Sequence, residues 1–304
     1  MKSSTKWFLG ILGGLLLLGF LVAILMYTVM FSLVGSDSDE VSVTGGGKKL
    51  GIVELRGPIV WSDEVVGQFK KLRERNDVKA IVFHVDSPGG GVVPSQEIYE
   101  EVKKTEAAGT PVVVSMGSVA ASGGYYVSCG ARRIVANRGS LVGNIGVVSQ
   151  FLRFDPMLEK VGIEASTIKS GKYKDIGNPL REMTKDDKAL LQNLMDDVHR
   201  QFIGVVEKGR GLSHEKAVEY ADGRVFTGEQ ALAVGLVDTL GTFEDAKKIA
   251  AEIAGIKGEP GIVKERRWRS LAERIFGKLD LSKFLGLREE LLQQPILQYR
   301  YVHP

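Results

Sequence analysis

The stretch from Ser115 to Gly130 consists almost entirely of small residues, and it contains a serine that could act as a nucleophile. It follows Pro111 to Met116, an apolar run that predicts a buried strand. Ser122 has only alanine and glycine beside it, so no bulky neighbour covers its hydroxyl. Acyl transfer needs that access, and it needs a backbone N–H, such as that of Gly123, to bind the oxyanion. The alternative is a tightly packed helix start in the core.

A serine nucleophile also needs a base, and the four histidines of the chain are poor candidates. His84 lies in an apolar run two residues before Asp86 and could be argued as a triad member. Because adjacent side chains of a strand alternate between faces, we interpret His84 as a core histidine instead. His199 has polar neighbours on a helix, and His214 and His303 have no supporting motif. The sequence therefore gives little support to a Ser-His-Asp triad.

A lysine is the remaining candidate base, since Ser-Lys variants of the triad exist. A lysine side chain with its ordinary pKa of ~10.4 is charged near neutral pH, and lowering that pKa to ~7–8 takes roughly 4 kcal/mol of differential solvation. Burial among apolar groups can supply this difference, so we expect a lysine that becomes enclosed. Spacing does not choose among Lys169, Lys172 and Lys174, and a solvated loop is the alternative for each.

The second oxyanion donor is predicted to come from the glycine-rich loop Ser87 to Gly91. This loop follows the apolar strand Ala80 to Val85, and α/β folds place their sites beyond the carboxyl ends of parallel strands. Glycine allows an amide to point at a substrate carbonyl without a clash. We favour Gly90 as the donor, with Gly89 as the second choice. In isolation, Pro-Gly-Gly would be an ordinary turn.

Alternating strands and helices are predicted to position these segments. Apolar runs predict strands at 50–55, 80–85 and 111–116, and apolar residues at helical spacing predict helices at 62–76 and 95–108. This order is typical of parallel βαβ units, whose covered strands are apolar in runs. Three later helices are predicted. The first begins at Thr184 and ends at Gly209, the second follows a capping box of Thr227 with Gln230, and the third begins at Thr242.

The composition excludes several classes of function. The net charge of +3 is small and not concentrated on one face, which argues against nucleic acid as a partner. The single cysteine, Cys129, rules out an internal disulfide. We interpret it as a small buried residue rather than a catalytic thiol. No Cys or His spacing typical of a metal site occurs, and we expect no cofactor and no metal.

Residues 1–35 are predicted to be a retained membrane anchor. The run from Trp7 to Gly35 has no charged residue and exceeds the ~20 residues that a membrane helix needs. It is also longer than the ~7–15 apolar residues of a cleavable signal peptide. Lysines before the run and acidic residues after it predict a cytoplasmic N-terminus. We therefore expect a single-pass protein of the cell (inner) membrane with an extracytoplasmic domain, joined through a flexible tether over residues 36–49.

Residues 256–304 are predicted to be a basic amphipathic C-terminal extension. Basic residues surround Trp268, and apolar residues follow at loosely helical spacing. Such a segment can lie on an anionic membrane surface. The alternative is a helix that packs on the domain or on a neighbouring subunit. The end of the chain, Pro295 to Pro304, is predicted to be extended.

Three motifs, taken in order, resemble the signal peptide peptidase A (SppA) family, membrane-anchored serine proteases of the ClpP/crotonase fold. They are DSPGGG at 86–91, MGSVAASGGYY at 116–126 and KSGKYKD at 169–175. The match runs from about Gly51 to Gly241. The resemblance implies an α/β parallel-sheet spiral over residues 50–255, in a short single-domain form of the family.

The resemblance also assigns roles to residues. It places the nucleophile at Ser122 and, through the Ser-Gly-x-x-Lys-Asp pattern, the general base at Lys174. In many members of the family, a serine occupies the turn position that is Asn144 in this chain. That serine is placed to hydrogen-bond the lysine amine. An asparagine carbonyl can accept the same hydrogen bond, so we expect Asn144 to orient Lys174. Peptide substrates such as cleaved signal peptides, contact with membrane lipid and a homo-oligomeric ring are further implications. In such a ring, Lys174 could reach Ser122 of a neighbouring subunit.

Other functions stay open at this point. A related Ser-Lys protease could act on a stomatin-like membrane protein. An acyl-CoA hydratase or isomerase of the same fold would also use two amides as an oxyanion hole. Such an enzyme needs an acidic catalytic residue and a CoA site. An anchored domain that faces outward would have little access to CoA. A non-enzymatic membrane scaffold would tolerate loss of both Ser122 and Lys174.

Overall fold

The computed structural model describes residues 17–27, 40–266 and 298–300 of the chain. Two units are present, Met1–Val41 with Arg266–Gln293 and Ser42–Glu265 with Gln294–Pro304. In the first, residues 17–27 form helix α1, whose side chains are exposed. Across the described ranges, no helix combines the length and the apolar character required to cross a membrane. The rest of the predicted anchor lies outside the described residues.

Strands and helices then alternate along the chain. The elements are β1 (Glu40–Thr44), β2 (Lys49–Arg56), α2 (Asp63–Arg73), β3 (Val78–Ser87), β4 (Gly89–Gly91), α3 (Val92–Ala107), β5 (Val112–Ala121), α4 (Gly123–Ser128), β6 (Arg133–Ala136), β7 (Leu141–Gly143), α5 (Asp155–Lys160), α6 (Lys185–Arg210), α7 (His214–Glu219), β8 (Val225–Thr227), α8 (Gly228–Ala233), β9 (Thr239–Leu240), α9 (Phe243–Ile253), β10 (Gly261–Arg266) and β11 (Gln298–Arg300).

The main sheet confirms the predicted parallel βαβ order. Its nine strands, counted over the described residues, run in the order β1-β10-β2-β3-β5-β6-β9, with β7 paired to β5 and β8 to β7. The neighbours from β10 through β9 are parallel. Strand β5 continues past the predicted end at Met116 to Ala121, because its second half pairs with β7. A separate two-stranded sheet joins β11 to β4.

Helices cover both faces of this sheet. On one face the alanines of α9 pack against alternate strand residues, which are Leu50, Ile52, Ala80, Val82 and Val113. On the other face Phe83 of β3 packs edge-on against Phe69 of α2, with ring centroids 5.1 Å apart. Full burial of one such side chain stabilises the fold by about 1.5–3 kcal/mol. Because helices cover both faces of the sheet, we expect a functional site at the carboxyl ends of β3 and β5.

Threonine caps begin the later helices as predicted. The capping boxes begin at Thr184, Thr227 and Thr242. Helix α6 ends at Arg210, with Gly211 in the left-handed conformation (φ 62°), so the predicted end at Gly209 was one residue short. A Cβ at Gly209 would overlap the carbonyl group of Cys129, which shows that this glycine permits close packing inside the helix.

Two segments at the ends of the sheet differ from prediction. Residues 40–44 of the predicted tether form strand β1 in the main sheet. Within the predicted C-terminal extension, β10 pairs in parallel with β2, and β11 pairs with β4. Residues 267–297, on which the membrane-surface prediction rests, lie outside the described residues. The extended end predicted for the chain is confirmed at β11.

Candidate active site

Ser122 lies at a sharp turn between the end of β5 and the start of α4. Its backbone has φ 55° and ψ −118°, a conformation that is costly for a residue with a side chain. The Ser122 N–H donates a hydrogen bond of 2.7 Å to the carbonyl oxygen of Gly143, and its own carbonyl oxygen accepts one of 2.8 Å from the N–H of Tyr126. Such a strained strand-to-helix turn is the geometry that presents a serine nucleophile in other hydrolases.

The predicted oxyanion donors come together beside this turn. Gly89 has φ 90°, and a Cβ built on it would lie 2.5 Å from the amide nitrogen of Gly123. A Cβ on Gly90 would overlap the carbonyl group of Ile59. Both positions therefore need glycine, because backbone approaches too closely for a side chain. The fold brings the loop after β3 and the N–H that follows Ser122 to one place, as expected from the sequence.

Strand β11 lies across the same corner. It pairs antiparallel with β4, and Tyr299 is opposite Gly90. The Gly91 N–H donates to the carbonyl oxygen of Ile59. Successive amides of an extended strand point to opposite sides. The Gly90 N–H therefore points away from Ile59 and faces Tyr299. A Cβ on Gly123 would lie 3.1 Å from the Tyr299 carbonyl oxygen. This carbonyl group therefore lies next to both predicted donors.

The three candidate lysines differ in their partners. The Lys169 ammonium donates to Asp175 at 2.6 Å and to the carbonyl oxygen of Lys172 at 3.1 Å. Lys172 forms an ion pair with Asp186, and this hydrogen bond raises the pKa of the Lys172 ammonium. The Lys174 side chain is exposed and makes no hydrogen bond or ion pair with any described residue. Of the three, Lys174 is thus the amine without a carboxylate partner among the described residues.

The segment that carries Lys174 is fixed by its neighbour in sequence. Asp175 accepts two hydrogen bonds from the Arg181 guanidinium, at 2.8 and 2.9 Å. Arg181 also donates to Asp187 at 2.7 Å, and Asp187 caps helix α6 through the N–H of Thr184. These hydrogen bonds hold the pKa of the Asp175 carboxyl well below its usual range and lower that of Asp187 to about 2. The segment that carries Lys174 is therefore tied to the start of α6.

Within one chain, Lys174 and Ser122 are not joined. Ser122 is 1% exposed, so the open access that its small neighbours predicted for its hydroxyl is absent in the single chain. Lys174 is exposed, and no hydrogen bond links the two side chains in the described structure. Asn144 lies next to the Ser122 turn, because it follows Gly143, whose carbonyl oxygen accepts the hydrogen bond from the Ser122 N–H. Its side-chain amide donates 2.7 Å to the carbonyl oxygen of Gly223, and its own carbonyl oxygen has no protein partner among the described residues. That oxygen can accept a hydrogen bond from an incoming donor.

Within the described ranges, the histidines and the cysteine do not form a competing site. His84 is opposite Ser115 in the sheet. Ser115 lies seven residues before Ser122, which corresponds to roughly 20 Å of extended strand. Its ring packs edge-on against Phe243, and burial lowers its pKa. His214 pairs with Glu207 at 2.5 Å. Cys129 is buried, and burial raises the pKa of its thiol to about 12. The interpretation of Cys129 as a buried residue agrees with the structure. His84 packs in the sheet as expected, but it is half-buried and its Nδ1 has no hydrogen-bond partner among the described residues.

Comparison with protein families decides the class of enzyme. Residues 104–257 match the model of Peptidase family S49, and residues 49–141 match the Clp protease family. The chain belongs to Peptidase family S49. This S49 chain is therefore a serine peptidase of the SppA type, and its parallel sheet agrees with a ClpP-like fold. The resemblance drawn from the three motifs is confirmed.

Individual relatives agree with this assignment. The S49 chain is 44% identical over 210 residues to a protein named as a protease from Synechocystis, covering 69% of this chain and 76% of the relative. It is 36% identical over 266 residues to one from Methanocaldococcus jannaschii, covering 80% and 85% of the two chains. A protein from Enterococcus faecium named as signal peptide peptidase SppA is 38% identical over 179 residues, covering 59% and 52%.

Sequence reasoning missed part of the site. Tyr299 carried only the signal of an extended chain end, and its place beside Gly90 depends on a pairing of residues far apart in sequence. Val148, which exchanges backbone hydrogen bonds with Gln298, had no local signal at all. Phe202 lies on helix α6, for which only the ends were predicted, and its ring contacts Tyr299.

Proposed function

We propose that this S49 peptidase is a membrane-anchored endopeptidase in which Ser122 is the nucleophile and Lys174 is the general base. The observation that carries the proposal is the corner where the strained Ser122 turn meets Gly89, Gly90 and Gly123. A peptide carbonyl carbon in this corner would be attacked by the Ser122 hydroxyl oxygen, while the amides of Gly90 and Gly123 bind the resulting oxyanion.

The base comes from a neighbouring subunit of a homo-oligomer, most simply a ring. Three features of Lys174 support this. Its segment matches the family motif, its ammonium lacks a carboxylate partner in the described structure, and it is exposed in the single chain. A neighbour would exclude water from Lys174 and so favour the uncharged amine, which can accept the proton of Ser122. The carbonyl oxygen of Asn144 orients that amine.

The exposed apolar surface of the segment before Lys174 also supports subunit contact. Large apolar side chains are exposed there, and they are Phe151, Leu152, Phe154, Met157, Val161, Ile163 and Ile168. Large apolar side chains exposed together in one segment are typical of protein interfaces. The segment that bears the base is thus suited to lie against another copy of the chain.

The substrates are extended peptides, with cleaved signal peptides as the class. The corner holds β11 as an extended strand through backbone pairing on both sides, a mode that suits peptides of varied sequence. The apolar run 7–35 and the exposed apolar side chains of α1 support a membrane anchor, with the N-terminus cytoplasmic and the catalytic domain extracytoplasmic. There the enzyme would meet peptides released from the membrane, with lipid around its anchor.

Peptide hydrolysis by the full chain in detergent tests the proposal. We expect cleavage of signal-peptide sequences, covalent labelling of Ser122 by a fluorophosphonate, and loss of at least about 1,000-fold in kcat for Ser122→Ala and Lys174→Met. Lys216→Met, a change on the exposed helix α7, serves as the matched lysine control and should keep wild-type activity. Normal turnover by Lys174→Met would remove Lys174 from the mechanism.

A further inference from the structure

Strand β5 contains a bulge shortly before Ser122. Along the pairing with β3, Val85 is opposite Met116, and Ser87 is opposite Ala120. The chain thus advances by two residues in β3 and by four in β5, which leaves two extra residues in β5. Bulges of this kind bend a strand and re-aim the side chains beyond them, and they are frequent next to active sites. The strand beyond this bulge leads directly into Ser122.

The bulge also changes the neighbour of β5. Before it, residues 113–116 pair with β6, and after it, residues 119–121 pair with β7. The last residue of β7 is Gly143, whose carbonyl oxygen accepts the hydrogen bond of the Ser122 N–H. A strand without the extra residues would misplace Ser122 by two strand positions, roughly 7 Å. The bulge therefore sets the position of Ser122 relative to Gly90.

The carboxylate of Asp86 binds the backbone at this bulge. Its Oδ1 atom accepts a hydrogen bond of 3.1 Å from the N–H of Val119. A Cβ built on Gly117 would lie 2.7 Å from the carboxyl carbon of Asp86, so this glycine lets the carboxylate lie against the bulged backbone. Asp86 directly precedes Ser87, the last residue of β3. One side chain therefore links the strand that leads to the glycine-rich loop with the strand that leads into Ser122.

Two further side chains bind the bulge from its other edge. The side-chain amide of Asn137 donates a hydrogen bond of 3.2 Å to the carbonyl oxygen of Met116. The hydroxyl of Ser140, a buried residue, donates one of 2.6 Å to the carbonyl oxygen of Gly117. Asn137 and Ser140 lie between β6 and β7, where β5 changes its neighbour. Side chains thus satisfy backbone groups for which the bulge leaves no ladder partner.

We propose that Asp86 is a positioning residue, which holds the bulge and so places Ser122 beside the predicted oxyanion donors. The inference rests on the proposed function, because it takes Ser122 as the nucleophile. In the described structure, Asp86 makes no hydrogen bond with Ser122 or Lys174. Its role therefore needs an acceptor for the Val119 N–H, and it needs neither a charge nor a proton transfer.

Two replacements of Asp86 separate the acceptor from the charge. With the full chain in detergent and one signal-peptide sequence as substrate, Asp86→Ala should lower kcat at least about 100-fold while KM stays within about 3-fold. Asp86→Asn keeps a side-chain oxygen, so its kcat should stay within about 5-fold of wild type. The inference is overturned if Asp86→Asn loses as much activity as Asp86→Ala, or if Asp86→Ala keeps the wild-type kcat.

Glu106→Ala is the matched control for loss of a carboxylate on the same strand. Glu106 binds the start of β5, where it accepts hydrogen bonds of 2.6 Å from the Val112 N–H and 3.1 Å from the Arg132 N–H. We expect Glu106→Ala and Asp86→Ala both to lower the melting temperature, because each removes an acceptor from backbone N–H groups. Only Asp86→Ala should lower kcat. An equal fall of kcat in the two variants would show a structural role alone and contradict the proposal.

Amide hydrogen exchange distinguishes this inference from the proposed function. In Asp86→Ala, residues 117–122 should exchange at least about 10-fold faster than in wild type, while residues 50–55 of β2 keep their rates. Unchanged exchange at residues 117–122 would refute the positioning role. Faster exchange there, with neither peptide cleavage nor Ser122 labelling by the wild-type chain, would refute the proposed function and keep the link between Asp86 and the bulge. Cleavage by wild type and by Asp86→Ala at the same rate would refute the positioning role and keep the function.

Discussion

The N–H of Ser122 donates its hydrogen bond to the carbonyl oxygen of Gly143, so Ser122 is fixed against the turn that carries Asn144. Ser122 and Asn144 are also the two non-glycine residues with positive φ, 55° and 51°, in the described part of the chain. Asparagine tolerates this region better than most residues, whereas serine at φ 55° and ψ −118° is strained. Strain at Ser122, which is hydrogen-bonded to the turn of Asn144, indicates that the surrounding structure holds this site in one geometry.

Replacement of Asn144 tests its predicted role as a positioning residue. Asn144→Gly keeps the positive φ without strain but removes the side-chain carbonyl, so we expect kcat to fall about 100-fold as the amine of Lys174 loses its orientation. Asn144→Ser restores an acceptor and should recover part of the loss. A structural role alone would lower the melting temperature without shifting the pH profile of kcat. Retained activity in Asn144→Gly would remove this residue from the mechanism.

A methyl group at Gly89 should close the oxyanion corner. In Gly89→Ala the new Cβ would lie 2.5 Å from the Gly123 nitrogen, so we expect kcat to fall by about 100- to 1,000-fold. Gly57→Ala is the control, because Gly57 also has a positive φ of 75° but nothing lies within 4 Å of a Cβ there. Both variants carry the backbone cost of about 1–2 kcal/mol. Activity lost equally in both would contradict the account.

Arg181 should matter through Asp175 rather than by contact with substrate. In Arg181→Met the segment with Lys174 loses its tie to α6, and we expect kcat to fall about 100-fold. Arg200→Met, at an exposed ion pair of α6, should have no effect. Equal activity of the two variants would show that the network does not position the base.

The same network predicts a pH dependence of stability. The pKa of Asp175 and that of Asp187 are both lowered in the folded chain, so their contribution is complete above the unfolded pKa of about 3.9. It is lost as pH falls toward about 2, the folded pKa of Asp187. The stability difference between wild type and Arg181→Met, followed by urea unfolding, should be constant above about pH 5 and shrink below about pH 4. A difference that grows on acidification would contradict this assignment.

Cys129 should be inert in the folded protein. With a pKa of about 12, its buried thiol carries almost no thiolate at pH 8. We expect no reaction with iodoacetamide or Ellman's reagent until the chain is unfolded in guanidinium. Rapid labelling of the native chain, with loss of peptidase activity, would show that the thiol is accessible and linked to the site.

Local signals predicted the fold where they are strong. The apolar runs of β2, β3 and β5 and the threonine caps of α6, α8 and α9 are local, so they could be read from the chain. Contacts between distant residues were not predictable in this way. The extension of β5 to Ala121 needs β7 as a partner, and Tyr299 needs Gly90. Spacing likewise did not separate Lys174 from Lys169 and Lys172, because the ion pairs of those two lysines with Asp175 and Asp186 form only in the folded chain.

Mixing of two inactive variants tests the shared dyad most directly. Subunits with Ser122→Ala keep Lys174, and subunits with Lys174→Ala keep Ser122, so each supplies what its neighbour lacks. After dissociation and joint reassembly in equal amounts, we predict about a quarter of wild-type peptidase activity, because one neighbour pair in four restores a complete site across a heterologous interface. Separately reassembled variants should stay inactive. A mixture that is also inactive, while wild-type subunits treated in the same way recover, would contradict a base supplied by the neighbouring subunit.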